Sequence, residues 1–105
     1  MSAVAAELAR LAAAANQHAW DYERTQAIGQ ALAHAGATGQ PRNGCSCPLA
    51  RHLSAISHQR VYVNAMEVIV DDTDEIDLTG DLRAISEFVR DIDAHPDRFA
   101  ALRAA

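Results

Sequence analysis

The first third of the chain places apolar residues at helical spacing, which predicts two helices. One runs from about residue 3 to 15 and the next from about residue 20 to 35, before a loop that is rich in glycine. The apolar stripe of the first helix consists of Val4, Leu8 and Leu11. The apolar side of the second helix consists of Trp20, Ile28 and Leu32.

A third helix is predicted from Pro48 to about Ser57. Proline suits the first helical position, because the N–H that it lacks would have no partner there. Cys47 is therefore expected at or beside the N-cap. The apolar stripe of this helix consists of Leu49, Leu53 and Ile56, and the residues predicted on its outward side are Arg51, Ser54 and His58.

The segments 61–63 and 67–70 are short and rich in β-branched residues, which predicts two strands joined as a hairpin. The segment 71–77 is acidic and is predicted to be a solvated loop. It lacks the alternating ligands and the central glycine of an EF-hand, so calcium binding is not expected.

A fourth helix is predicted after Thr79, which we expect to be its N-cap. The apolar stripe of this helix consists of Leu82, Ile85, Phe88, Val89 and Ile92. Arg83 and Glu87 are one turn apart and are expected to pair on its outer side. A last short turn, which begins at Pro96, carries Phe99 and Leu102.

These elements predict one helix-rich α+β domain over residues 1–105. It has about four helices and one two-stranded antiparallel hairpin, in the order α-α-α-β-β-α.

The net charge of the chain limits the classes of partner that we expect. The net charge is −5, which argues against general binding to nucleic acids or acidic membranes. No apolar run approaches the roughly 20 residues of a membrane-spanning helix, and the N-terminus lacks the basic region of a signal peptide. The sequence therefore predicts a cytoplasmic protein.

Both cysteines lie just before the third helix, and with His52 they form a candidate thiol or metal site at Cys45, Cys47 and His52. Zinc favours such ligands. His52 and His58, however, are about 240° apart around a helix, so they cannot both reach one ion. A thiolate at a helix N-terminus is stabilised by the helix dipole, but no orienting third group is evident. We therefore predict no bound metal and no cofactor. We also predict no disulfide between Cys45 and Cys47, because a ring closed over one residue would be strained.

Three helices followed by a hairpin are typical of a winged helix-turn-helix, with the helix from Pro48 as the recognition helix. The residues available for nucleic-acid contacts are then Arg51, Ser54, His58 and Arg60. Against this, the loop of about eleven residues before that helix is longer than a helix-turn-helix turn, and acidic residues follow the hairpin. Nucleic acid is the less favoured partner.

The segment Asn43-Gly44-Cys45-Ser46-Cys47-Pro48-Leu49-Ala50-Arg51-His52-Leu53, the Val61-Tyr62-Val63 strand and the Phe88-Val89 pair of the last helix resemble small actinobacterial and actinophage-type proteins of unknown function. The resemblance covers about residues 43–102. It implies a Cys-Pro helix start, a hairpin and a closing helix, and it implies no activity.

The sequence therefore favours a non-enzymatic protein-interaction or regulatory module. The alternatives are the winged-helix-like regulator and, third, a metal- or thiol-site protein. A homodimer is expected, because the thin apolar stripe of an alanine-rich helix needs cover. The residues of its predicted surface are Val4, Leu8, Leu11 and Trp20.

Overall fold

The computed structural model describes residues 2–104 of the chain. It has four α-helices: α1 (Ala3–Ala15), α2 (Asp21–His34), α3 (Pro48–Ser57) and α4 (Arg83–Ala94). Three strands lie between α3 and α4: β1 (Val61–Val63), β2 (Glu67–Val70) and β3 (Asp74–Asp77). Two 3-10 segments, Gly80–Leu82 and Pro96–Leu102, flank α4. The α+β class and the β1–β2 hairpin are confirmed, and the two-stranded sheet is corrected to three strands.

The starts of the helices follow from local chemistry. Ser2 caps α1, since its hydroxyl oxygen accepts a hydrogen bond from the N–H of Ala5 at 3.1 Å. Cys47 caps α3 in the same way, with its sulfur accepting from the N–H of Ala50 at 3.4 Å. Pro48 occupies the first helical position, as predicted. The predicted cap at Thr79 makes no side-chain hydrogen bond.

The core lies where α1 packs against α2, α3 and α4. Its fully buried members include Val4, Leu8 and Leu11 of α1, so the dimer surface predicted from these three residues is wrong. The apolar stripe of α1 packs against other helices of the same chain instead. In α4, Phe88 meets Phe99 edge to face with ring centroids 5.4 Å apart, which fixes the C-terminal segment.

Two apolar residues predicted to face the core are exposed. Ile56, at the end of α3, is 42% exposed, because the last turn of the helix extends beyond the packed layer. Trp20 is 72% exposed, since it precedes α2 as its N-cap instead of lying on the apolar face of that helix.

Glu87 has a different partner from the predicted Arg83. The guanidinium of Arg24 on α2 donates to the carboxylate of Glu87 at 3.2 Å.

The sheet is an antiparallel meander in the order β1-β2-β3. Val61 pairs with Val70, and Val63 pairs with Val68. The valines of β1 and β2 are buried on the inner face, and β1 packs against α3. Strand β3 lies in the segment predicted to be an acidic loop. Within residues 2–104, no helix is long and apolar enough to cross a membrane.

Candidate functional site

The loop of residues 35–47, which contains both cysteines and leads to α3, is fixed at several points. The N–H of Gly39 donates to the carbonyl of Leu102 at 2.8 Å. Arg42 has a φ of 63° and is bonded to Asp93 near the end of α4, through its backbone N–H at 2.9 Å and its Nε at 2.8 Å. The side-chain oxygen of Asn43 accepts from the N–H groups of Cys45 and Ser46, both at 3.1 Å. The loop is therefore an ordered part of the fold.

The two cysteines have different surroundings. Both are free thiols, but Cys45 is exposed and Cys47 is buried. Burial raises the pKa of the Cys47 thiol, and its sulfur is engaged in capping α3. A buried protonated thiol is a poor nucleophile and a poor metal ligand. Of the two, Cys45 is the thiol available to chemistry in the folded protein.

His52, the third member of the predicted site, faces α1. Its Nε2 donates to Oε2 of Glu7 at 2.5 Å, and Arg10 donates to both oxygens of the same carboxylate at 2.6 and 2.8 Å. The hydrogen bond from Arg10 is the main cause that lowers the pKa of Glu7 to about 2, against the opposing effect of burial, and His52 adds to it. The group of Glu7, Arg10 and His52 therefore joins α1 to α3.

In the part of the chain that the structure describes, no set of three or more histidine, cysteine, aspartate or glutamate side chains is arranged to hold a metal ion. The predicted Cys45, Cys47 and His52 set is divided between an exposed loop, a helix cap and a hydrogen bond to Glu7.

The four predicted surface residues have separate roles. Arg51 is exposed on α3. The hydroxyl of Ser54 donates to the carbonyl of Gln59 at 2.6 Å. His58 is exposed and ends α3 with a φ of 57°. Arg60 pairs with Asp72 at 3.0 Å. They do not form one row along the outside of α3.

The structure does bring two of these residues, Ser54 and Arg60, together with Cys45. They line a groove of about 210 Å³, in which the remaining residues are Val61, Tyr62, Ile69 and Asp72. We call this the Cys45 groove. Sequence reasoning missed Tyr62 and Ile69, although a signal was present. Each alternates with buried valines, and this period of two assigns them to the outer face of a half-buried sheet.

Tyr62 shapes the groove. Tyr62 is 42% exposed, and its ring lies over Gly44 of the loop. A Cβ at position 44 would run into that ring, so only glycine allows this close approach. Tyr62 pairs with Ile69, and Ile69 pairs with Glu75, so these three residues form one row across the outer face.

A second, smaller cavity of about 120 Å³ lies beneath the loop. Its apolar walls include Leu49, Phe88 and Ile92, and the polar residues at its rim include Arg42 and Asp93. Arg42 and Asp93 bond to each other at this rim. The two polar side chains that could act there, Cys47 and Asp93, are engaged in the cap of α3 and in the bonds to Arg42.

The resemblance to small actinobacterial and actinophage-type proteins stays a prediction. No family model, curated protein or solved structure matches the chain.

Proposed function

We propose that the protein is a small non-enzymatic interaction module whose contact surface is the outer face of the sheet, together with the Cys45 groove. The observation that carries the proposal is the row of Tyr62 and Ile69 beside this groove on the outer face. A partly exposed tyrosine next to an aliphatic residue is typical of protein interfaces, because aromatic side chains combine a large apolar area with a polar end.

The state of the reactive groups supports a binding role over catalysis. Cys47 is buried and caps α3 with its sulfur, and His52 is bonded to Glu7, so neither is positioned as a nucleophile or a free base. Catalysis of acyl or group transfer needs a nucleophile within hydrogen-bond reach of an oriented base. An exposed free thiol such as that of Cys45 persists in a reducing compartment, and we propose a cytoplasmic location on that basis.

The geometry favours protein over nucleic acid as the partner. Arg60 is paired with Asp72, and the hydroxyl of Ser54 is bonded to the carbonyl of Gln59 beyond the end of α3. The residues that follow the β1–β2 hairpin form the acidic strand β3. Phosphate binding needs unpaired basic residues on one surface, and its affinity falls steeply with salt. Binding to random duplex DNA that weakens steeply with salt would contradict the proposal.

Cross-linking from Cys45 tests the proposal directly. Cys45 is exposed and Cys47 is buried, so a maleimide photo-cross-linker attaches to the groove alone. In an extract of the source cells, we expect one or a few defined cross-linked products. They should be lost in a Tyr62→Thr variant and kept in a Trp20→Ser variant, which removes an aromatic residue that is 72% exposed and does not line the groove.

The matched control moves the cross-linker to the exposed face of α1, in a Cys45→Ser, Ala13→Cys variant. Products that depend on Tyr62 and that disappear from this control support the proposed surface. Identical products from both positions, or products that Tyr62→Thr leaves unchanged, would contradict it.

A further inference from the structure

The two outer edges of the sheet differ. At the β1 edge, the loop supplies a partner, because the N–H of Val63 donates to the carbonyl of Gly44 at 2.8 Å. At the β3 edge, no hydrogen bond from another segment of residues 2–104 reaches the strand. One edge of the sheet is closed by the fold, and the other is open.

The hydrogen-bond pattern shows which groups the open edge presents. The N–H of Leu78 donates to the carbonyl of Met66 at 3.0 Å, so this pair is bonded across β2 and β3. In antiparallel strands, bonded and non-bonded pairs alternate. Ile76 and Asp74 therefore direct their backbone groups toward β2, whereas Glu75 and Asp77 direct their N–H and C=O groups outward. The open edge presents two backbone donors and two acceptors to a further strand.

The side chains of β3 select the partner. Asp74, Glu75 and Asp77 are exposed, and Ile76 is half-buried. A second copy that paired along β3 would place acids opposite acids, which is destabilising in a sheet. A basic segment would place opposite charges there instead. The edge therefore favours a basic partner over self-association.

We propose that β3 accepts an extended basic segment of a partner protein as a fourth strand of the sheet. This inference rests on the proposed interaction function and specifies the class of partner. Residues directly opposite each other in neighbouring strands share one face of the sheet. Arginine or lysine opposite Glu75 and Asp77 lies with them on the outer face, and the residue between lies beside Ile76 on the inner face. The segment recognised is therefore basic-apolar-basic, bound through its backbone as in β-strand addition.

The test uses a capped Arg-Val-Arg-Val-Arg peptide and the full chain labelled with ¹⁵N. We expect the amide signals of Glu75 and Asp77 to shift and their hydrogen exchange to slow on binding, with little change at Val63 of the closed edge. The control peptide has the same residues but is N-methylated at alternate positions, so it keeps its charge and loses the backbone donors that face β3. It should not bind.

Two variants at one position separate backbone from charge. Glu75→Gln keeps the outward N–H and should weaken peptide binding about twofold to fivefold, as for the loss of one cross-strand ion pair. Glu75→Pro removes an outward N–H as well as the carboxylate. Edge strands tolerate proline at such a position, so the protein should fold, and binding should be lost well beyond the effect of Glu75→Gln. Its circular dichroism and urea midpoint are checked against Glu75→Gln.

Equal binding of the N-methylated peptide would overturn the inference, because attraction between charges would then suffice. Shifts that map away from β3, or dimerisation through β3, would overturn it as well. Cross-linking from Cys45 that survives in Glu75→Pro would also overturn it, while leaving the interaction function intact. Loss of the cross-linked product in Glu75→Pro but not in Glu75→Gln supports it.

Discussion

Replacing Glu7 by glutamine tests the cluster of Glu7, Arg10 and His52 that joins α1 to α3. In the folded protein the pKa of Glu7 is lowered from its ordinary value of 4.5 to about 2, chiefly by the hydrogen bond from Arg10. A difference of one pH unit between the folded and unfolded pKa is worth about 1.4 kcal/mol. The shift therefore corresponds to about 3 kcal/mol of stability at neutral pH.

Solvent reduces this magnitude, because the side chain of Arg10 is 59% exposed although that of Glu7 is only 11% exposed. We therefore expect Glu7→Gln to lower the free energy of unfolding by about 2 kcal/mol at pH 7. Since the folded pKa is depressed, the contribution is complete above pH 4.5 and is lost as the pH falls toward 2. The variant and the wild type should then converge in stability.

Urea unfolding followed by circular dichroism at pH 7, 5, 3.5 and 2.5 measures the difference directly. The control is Glu23→Gln, which neutralises a half-exposed glutamate that lies 3.5 Å from His18. It should change stability by less than about 0.5 kcal/mol at pH 7. A Glu7→Gln difference that stays constant from pH 7 to 2.5 would refute the reasoning, because loss of packing is independent of pH and loss of an ionic interaction is not.

Three further results are expected. Leu53→Ala should lower the free energy of unfolding by about 2–5 kcal/mol in urea, since Leu53 is fully buried; an unchanged midpoint would contradict its place in the core. Gly39→Ala should destabilise more than Gly36→Ala, because a Cβ at Gly39 would meet the backbone of residues 46–48, whereas one at Gly36, with a φ of 77°, meets nothing within 4 Å and costs only backbone strain; calorimetry compares them. In a thiol titration with a disulfide reagent, Cys45 should react at once and Cys47 only on unfolding; two fast thiols would contradict the burial of Cys47.

The start of α3 could be predicted because every determinant is local. Pro48 fixes the first turn, Cys47 precedes it as the cap, and Leu49 and Leu53 repeat at helical spacing. The bounds found are those predicted, Pro48–Ser57. Within its predicted apolar stripe, Ile56 is the residue that lies elsewhere, because a periodic pattern does not show where the neighbouring layer ends.

Strand β3 could not be predicted from its own residues. Aspartate and glutamate have low strand propensity, and Asp74, Glu75 and Asp77 suggested a solvated loop. Pairing with β2 overrides that preference, since the buried strand β2 offers its backbone groups to the chain that follows it. A turn at Asp71 and Asp72, both with positive φ, brings that chain back. Aspartate tolerates this conformation better than most residues, and the signal was missed because no glycine or asparagine marks it.

The side-chain pairs between distant elements were also beyond local reasoning. His52 binds Glu7, 45 residues earlier, and Glu87 binds Arg24, 63 residues earlier. The sequence offered Arg83 as the partner of Glu87, since residues four apart on a helix are neighbours. The packing of α2 against α4 brings Arg24 to the same carboxylate. Partners of this kind follow from the tertiary arrangement and cannot be read before it is known.

The burial of the apolar stripe of α1 in the core also determines which oligomeric state we expect. A stable interface buries about 800 Å² on each partner. Three of the four residues predicted for a dimer, Val4, Leu8 and Leu11, are already within the core, which leaves Trp20 as the only exposed member. One side chain is too small for such an interface, and the acids of β3 repel a second copy at the open edge.

We therefore expect a monomer. Light scattering at micromolar concentration and low salt should give a mass near 11.3 kDa. A mass of twice that value would refute the reasoning. In that case a Trp20→Ser variant would show whether the exposed tryptophan forms the interface, since the dimer should then dissociate while the fold, measured by circular dichroism, stays unchanged.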